Sequence, residues 1–201
     1  MKKYTFLLDA GHGIDTPGKR SPVWSDGTQL LEYEFNRGVV SKIEGLAKKL
    51  GINTFNVCPE IEDTSLKTRV KRANSYAAQH PDEQCIYVSV HGNAAGVEAA
   101  KGIEVFTSPG QTKSDLIATE FVEALQDSGV DLKLRLDHSD GDPDKESRFY
   151  VLIHTSMPAI LTENGFFTNE EECKKMMTKQ FQYDIAEVHV NMMQKVIEKQ
   201  I

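Results

Sequence analysis

The run Tyr4-Thr5-Phe6-Leu7-Leu8-Asp9-Ala10-Gly11-His12-Gly13 decides how the rest of this chain reads. Tyr4 to Leu8 has the length and apolar character of a buried strand, and Ala10-Gly11-His12-Gly13 stops it abruptly. Glycine on both sides of His12 lets the backbone turn where a side chain would clash. The expected result is an imidazole at the carboxyl end of an interior strand, the edge at which open α/β sheets keep their ligands. Alone, such a histidine reads more readily as a polar loop residue. The weight therefore falls on what other segments deliver to the same edge.

Two further strands end in chemically useful residues. Cys85 to His91 is almost continuously apolar and β-branched, as in a strand covered on both faces, and runs into His91-Gly92-Asn93. Ala159 to Thr162 delivers Glu163-Asn164-Gly165. Between these strands the chain alternates. A helix is predicted over Leu31–Leu50, where Phe35, Val39, Ile43, Leu46 and Leu50 share one face and Gly51 ends the element. Glu32 falls on the buried stripe of that helix and needs a partner or a cation, unless it serves only the helix dipole; Glu34 falls on the wet side. A short strand follows at Asn53–Val57, then a helix at Thr64–Gln79 whose Arg69, Lys71 and Arg72 read as a solvated basic face. A strand at Gly102–Thr107 and a helix at Thr112–Ser128 come next. Tyr150–Ile153 reads as a further strand. Asn169, followed by three glutamates, opens a helix, and the last helix runs from about Lys179 to Lys199. Alternation of this kind predicts one α/β domain over residues 1–201, a mostly parallel sheet wrapped by helices.

Two segments break the alternation. Ile14–Thr28 is long for a loop and contains the single tryptophan, Trp24, readable as a substrate platform or as simple packing. Asp131–Arg148 carries Asp137, His138, Asp140, Asp142 and Asp144, but their spacing fails the calcium-loop pattern, so a flexible surface loop bordering the site is expected.

Bulk composition narrows the class. Hydrophobic residues make up 39% and charged residues 26%, ordinary for a globular domain. The net charge of −7 argues against nucleic acid as a partner, because phosphates call for a basic stripe. No apolar run approaches the ~18 residues of a membrane span. The stretch after Met1-Lys2-Lys3 is too short for a signal h-region, so no export signal is expected in the chain as given. The three cysteines, Cys58, Cys85 and Cys173, are odd in number and far apart, which predicts buried free thiols and no zinc knuckle.

His12, His91 and Glu163 at strand ends, with Glu32 on a helix, form a set with defined chemistry. Two imidazoles and one carboxylate suit zinc, whose catalytic sites leave one position open. A second carboxylate outside the ligand set would carry the proton. The residues themselves leave open which glutamate takes which role.

These pieces also resemble the zinc-dependent N-acetylmuramoyl-L-alanine amidases of the amidase-3 type. The matching segments are Asp9-Ala-Gly-His-Gly13, Glu32-Tyr-Glu-Phe-Asn36, Arg69-Val-Lys-Arg-Ala-Asn74, Ser89-Val-His-Gly-Asn93 and Pro158-Ala-Ile-Leu-Thr-Glu-Asn-Gly-Phe-Phe-Thr-Asn169, in the family's order and across nearly the whole chain. The resemblance implies that His12, Glu32 and His91 hold Zn2+ and that Glu163 is the catalytic acid/base. It implies a twisted mixed sheet of about six strands with helices on both faces. The implied substrate is peptidoglycan, cleaved between the lactyl group of N-acetylmuramic acid and L-alanine of the stem peptide. Asn93 would orient substrate or bond its own loop. Gly92 stands where the family often has Ala, and Thr162 where it often has Val or Ile. A monomer acting at the cell wall is expected, comparable to the catalytic domain of an endolysin or of a wall hydrolase without its leader. The competing readings are a zinc peptidase or deacetylase on another amide, and a non-catalytic wall-binding module; no binding repeat supports the latter.

Overall fold

The computed structural model describes residues 3–139 and 141–201. Met1, Lys2 and Asp140, which enter the expectations on export and on the acidic loop, lie outside the described residues. In chain order the elements are β1 (Lys3–Ala10), α1 (Glu32–Lys49), β2 (Asn53–Asn56), α2 (Leu66–Gln79), β3 (Glu83–Asn93), β4 (Ile103–Thr107), α3 (Lys113–Gln126), β5 (Lys145–Glu146), α4 (Tyr150–His154), β6 (Ala159–Phe166), α5 (Glu170–Met176) and α6 (Lys179–Lys199). The strands form one six-stranded sheet in the order β2-β1-β3-β6-β4-β5. All neighbours run parallel except β4 and β6. The single α/β domain with a mixed, mostly parallel sheet is therefore the predicted one.

Helices cover both faces because the interior strands are apolar on both. Phe6 and Leu8 of β1, Val88 and Val90 of β3 and Ile160 of β6 point into the larger core, against α1, α3 and α6. Leu7, Tyr87 and Leu161, one residue out of phase, point into the smaller core, against Val70 and Ala73 of α2 and Val151 and Leu152 of α4. From β1 the chain goes first to β2 on one side and then to β3 on the other, so a crevice opens at the carboxyl ends of β1 and β3.

Three expectations are corrected. Tyr150–Ile153 is not a strand but the core of the short helix α4. Only Val151 and Leu152 are buried there, adjacent rather than alternating, and Tyr150 stacks on His154 one turn later at 4.0 Å between ring centroids. Arg69 is not on a solvated face; it is 2% exposed. The segment between α3 and α4 is not wholly loop, since Lys145 and Glu146 pair with Phe106 and Thr107 of β4. Trp24 belongs to packing: it lies against the larger core and its Nε1 donates to Cys173 Sγ at 3.2 Å. All three thiols are free and buried.

Thr162, one of the two departures from the family pattern, has a local reason. His189 of α6 is fully buried, and its Nδ1 lies 2.7 Å from the Ile185 carbonyl, so that nitrogen carries the proton. Burial lowers the ring's pKa to about 4, leaving Nε2 as an acceptor 3.0 Å from Thr162 Oγ1. The hydroxyl satisfies a buried nitrogen that valine or isoleucine would orphan. Thr162→Val is expected to cost about 1–3 kcal/mol in urea unfolding. Stability at or above the parent level would show that His189 finds its donor elsewhere.

Candidate metal centre and catalytic cavity

Each functional side chain reaches the crevice for a local reason. His12 follows β1 in a left-handed conformation, φ 62°, unusual for a residue with a side chain. Its flanking glycines are required by close approach. A Cβ on Gly11 would lie 2.2 Å from His91 Cε1, and one on Gly13 would lie 2.1 Å from the Asp63 nitrogen. Two guanidinium groups hold the turn from outside. Arg37 Nη1 donates to the His12 carbonyl at 2.7 Å, and Arg69 reaches the same oxygen at 3.4 Å. Glu32 is the first residue of α1, where the dipole favours a carboxylate. His91 and Glu163 occupy register-matched positions on β3 and β6, so their side chains leave the same face of the sheet side by side.

The cage itself is compact. Glu32 is 1% exposed. Its Oε1 lies 3.4 Å from His12 Nε2 and 3.3 Å from His91 Nδ1, and the two rings meet edge to face at 5.0 Å. Ligands at about 2.0–2.1 Å from a tetrahedral zinc sit about 3.3–3.4 Å apart, so the spacing suits such an ion. Glu32 Oε2 is buried and accepts no hydrogen bond among the described residues; the Lys19 ammonium stands 4.0 Å away. A buried carboxylate with one oxygen against two imidazoles and the other without a donor fits a metal site.

Behind His91 runs a buried relay. Ser89 Oγ donates to Asp9 Oδ2 at 2.7 Å, so at 3.1 Å from the same hydroxyl the His91 Nε2 must be the donor. That assigns the proton to Nε2 and turns Nδ1 toward Glu32 and the cage. Asp9 is in turn ion-paired with Arg69, which also donates to the carbonyls of Ala10 at 2.7 Å and Thr64 at 2.6 Å. Asp9, Ser89 and Arg69 are functional residues that the strand-end reading passed over. Each opens one of the segments that resemble the amidase-3 type, and beside that resemblance the one signal is a charged Asp9 at the end of an otherwise apolar strand.

Electrostatics separates the groups by role. Burial lowers the His12 pKa to about 4, so the ring is neutral at physiological pH. Burial also disfavours a charged His91, but the hydrogen bond to Glu32 and the nearby carboxylates of Glu163, Glu32 and Asp9 outweigh it and raise its pKa. A cation entering the cage would displace that proton. Glu163 is pushed up to about 7, chiefly by burial, with Glu32 adding repulsion against the opposing pull of His91. Its Oε2 is buried and has no hydrogen-bond partner among the described residues. Glu163 lines a cavity of about 380 Å³ together with His12 and His91, walled by Lys19, Leu66 and Tyr150.

His12, Glu32, His91 and Glu163 are thus brought together. Asn93 ends β3, but its Nδ2 donates to Glu104 Oε2 at 2.7 Å and its Oδ1 accepts from the Ala94 N–H at 2.8 Å. Both polar groups of the side chain are thus engaged within the protein, one with β4 and one with the next residue. Gly92, the other departure from the family pattern, is backed by Met176, whose Cε would sit 2.7 Å from an added Cβ.

Arg69→Met is expected to destabilise the fold by about 3–5 kcal/mol in denaturant unfolding, because Asp9 stays buried without its partner. Arg69→Lys should not restore it, since one ammonium cannot reach the carboxylate and several carbonyls at once. Parent-like stability of either variant would show that the pair does not hold this end of β1.

Residues 6–195 match the family Amidase_3, described as N-acetylmuramoyl-L-alanine amidase. The chain is 27% identical over 190 residues to an N-acetylmuramoyl-L-alanine amidase of Bacillus licheniformis, covering 92% of this chain and 65% of that one. It is 28% identical over 187 residues to the endolysin of Bacillus phage SPP1, covering 90% and 62% respectively. Among solved structures, an N-acetylmuramoyl-L-alanine amidase from Clostridium difficile 630 superposes with a TM-score of 0.84 at 25% identity, covering all of both chains. The catalytic domain of an amidase from Bacillus (Paenibacillus) polymyxa gives a TM-score of 0.74, covering 97% and 98%, and at 23% identity it supports the fold. With the His-Glu-His cluster at the sheet crevice and a match over nearly its whole length, the chain belongs to the N-acetylmuramoyl-L-alanine amidases, a family of peptidoglycan hydrolases.

Proposed function

We propose that His12, Glu32 and His91 hold one Zn2+ and that Glu163 moves the proton in hydrolysis of the bond between the lactyl carbonyl of N-acetylmuramic acid and the nitrogen of L-alanine. The observation that carries this reading is the spacing of 3.3 and 3.4 Å around Glu32 Oε1. When bound, zinc supplies the Lewis acidity that brings a water's pKa toward neutrality and polarises the scissile carbonyl. The chain's own residues do the rest. Glu163 faces the cavity beside His91, takes a proton from the attacking water and passes it to the departing alanine nitrogen. Ser89 and Asp9 keep the His91 ring oriented with Nδ1 toward the cage. The apolar wall formed by Leu66, Phe149 and Val151 shields the carbonyl from bulk water. No described helix is long and apolar enough to cross a membrane.

Digestion of purified peptidoglycan tests the reading. New L-alanine amino termini on intact stems are expected, together with about one zinc per chain by elemental analysis. New termini inside the stem would make the enzyme a peptidase. His12→Ala should lose the metal, whereas Glu163→Gln should keep it and lose turnover by ~10²-fold or more. A metal-free Glu163→Gln would show that the two glutamates had been assigned the wrong way round. Ser89→Ala should weaken zinc binding by about 10–100-fold in chelator competition, since it removes the partner that orients His91. An unchanged affinity would remove the relay from the account.

A pH dependence follows for the metal-free protein. Glu163 titrates at about 7 when folded, against an ordinary value of 4.5. Between those values only the folded state holds the proton, so the group's contribution is complete below about 4.5 and is lost as pH rises through about 7. The stability difference between parent and Glu163→Gln, measured in urea without zinc, should therefore move against the parent from pH 5 to pH 8. A difference independent of pH would show that Glu163 is not buried as an acid.

A further inference from the structure

Away from the cage, a second group of acids is gathered with no cationic side chain among the described residues paired to it. Asp115 lies in the first turn of α3, while Asp142 and Asp144 lie in the segment entering β5. Each offers an oxygen within 4.8 Å of the others. Asp144 is 2% exposed and Asp115 is 6% exposed. One oxygen of Asp144 accepts from Thr107 Oγ1 at 2.6 Å, and one of Asp142 accepts from Gln111 Nε2 at 3.3 Å. The remaining oxygen of each, Oδ1 in both, is buried and has no hydrogen-bond partner among the described residues. Asp115 is engaged with the Thr112 N–H and hydroxyl as the capping box of α3. Among the described residues, none of the three carboxylates lies within 4.0 Å of a Lys, Arg or His nitrogen.

Buried carboxylate oxygens facing one another with no donor between them are strongly disfavoured unless a cation or a shared proton joins them. The donor set separates this cluster from the cage. It is all oxygen, with no nitrogen or sulfur, which suits a hard cation with an adaptable coordination shell. We propose that Asp115, Asp142 and Asp144, with Thr107 beside them, form a calcium site that ties the segment before β5 to the start of α3 and the end of β4. Local spacing in the acidic stretch could not show it, because the third carboxylate comes from a different helix. The site also bears on the cavity. The chain passes directly from β5 to Phe149, Tyr150 and Val151, which wall the catalytic pocket, so an ion here would brace that wall. The proposal stands apart from the reading of the zinc cage and succeeds or fails separately.

The test is titration of calcium chloride into the full chain loaded with one equivalent of zinc, followed calorimetrically and by thermal unfolding. One calcium per chain is expected, with the unfolding midpoint raised by about 3–8 °C at saturation. The shift should persist in His12→Ala and disappear in Asp142→Asn and in Asp144→Asn. Asp142 is the less buried of the two, so its variant keeps the test open if Asp144→Asn fails to fold. A parent protein that shows neither binding heat nor a shift would overturn the proposal in favour of a proton shared by the two acids. A shift that survives Asp142→Asn, or is lost in His12→Ala, would overturn it by locating the ion elsewhere.

Discussion

The buried ion pair between Arg69 and Asp9 is the constraint on which the rest of this site depends. Asp9 is 1% exposed and Arg69 is 2% exposed, so neither tolerates the absence of the other. The pair joins α2 to the end of β1, and through Ser89 it joins both to β3. Arg69 spends its remaining donors on the carbonyls of Thr64, Ala10 and His12. Those of Ala10 and His12 belong to the turn that follows β1, where His12 is left-handed, and that of Thr64 to the segment entering α2. The charge pair thus stabilises a backbone geometry that local propensity opposes, and it sets the orientation of the second imidazole by way of one serine.

Around that frame, burial acts differently on each titratable group. His12 is kept neutral by desolvation, and Glu163 is raised to about 7 by the same cause. Glu32, though almost wholly buried, is held below the ordinary carboxylate range because burial is outweighed by its hydrogen bond to His91 and by the nearby His12 and Lys19. One carboxylate is thereby suited to a cation and the other to a proton, and both act on the same His91. The difference lies in which neighbours each one has, since the residue type is the same.

The two departures from the family pattern have packing reasons. Gly92 leaves room for Met176, and Thr162 gives a buried histidine its hydrogen bond. Each sits next to a functional residue and faces the opposite side of the sheet, toward the larger core. The chemistry and the packing are thus handled by alternate positions of the same strands, which allows one to vary while the other stays.

The apolar runs leading into Gly11-His12-Gly13, His91-Gly92-Asn93 and Glu163-Asn164-Gly165, with the period of each helix, determined by themselves the α/β alternation and the four residues brought together. They did so because apolar periodicity acts over a few residues, although β3 and β6 continue through Gly92 and Gly165 to Asn93 and Phe166. Only the tertiary structure decided that Arg69 is buried, that Tyr150–His154 is helical, that Trp24 packs on Cys173, and that Asp115 meets Asp142 and Asp144. Each of these rests on partners distant in sequence. An arginine on a helix reads as solvated until an aspartate from another strand is placed against it, and carboxylates from separate elements form a cluster only when the fold closes.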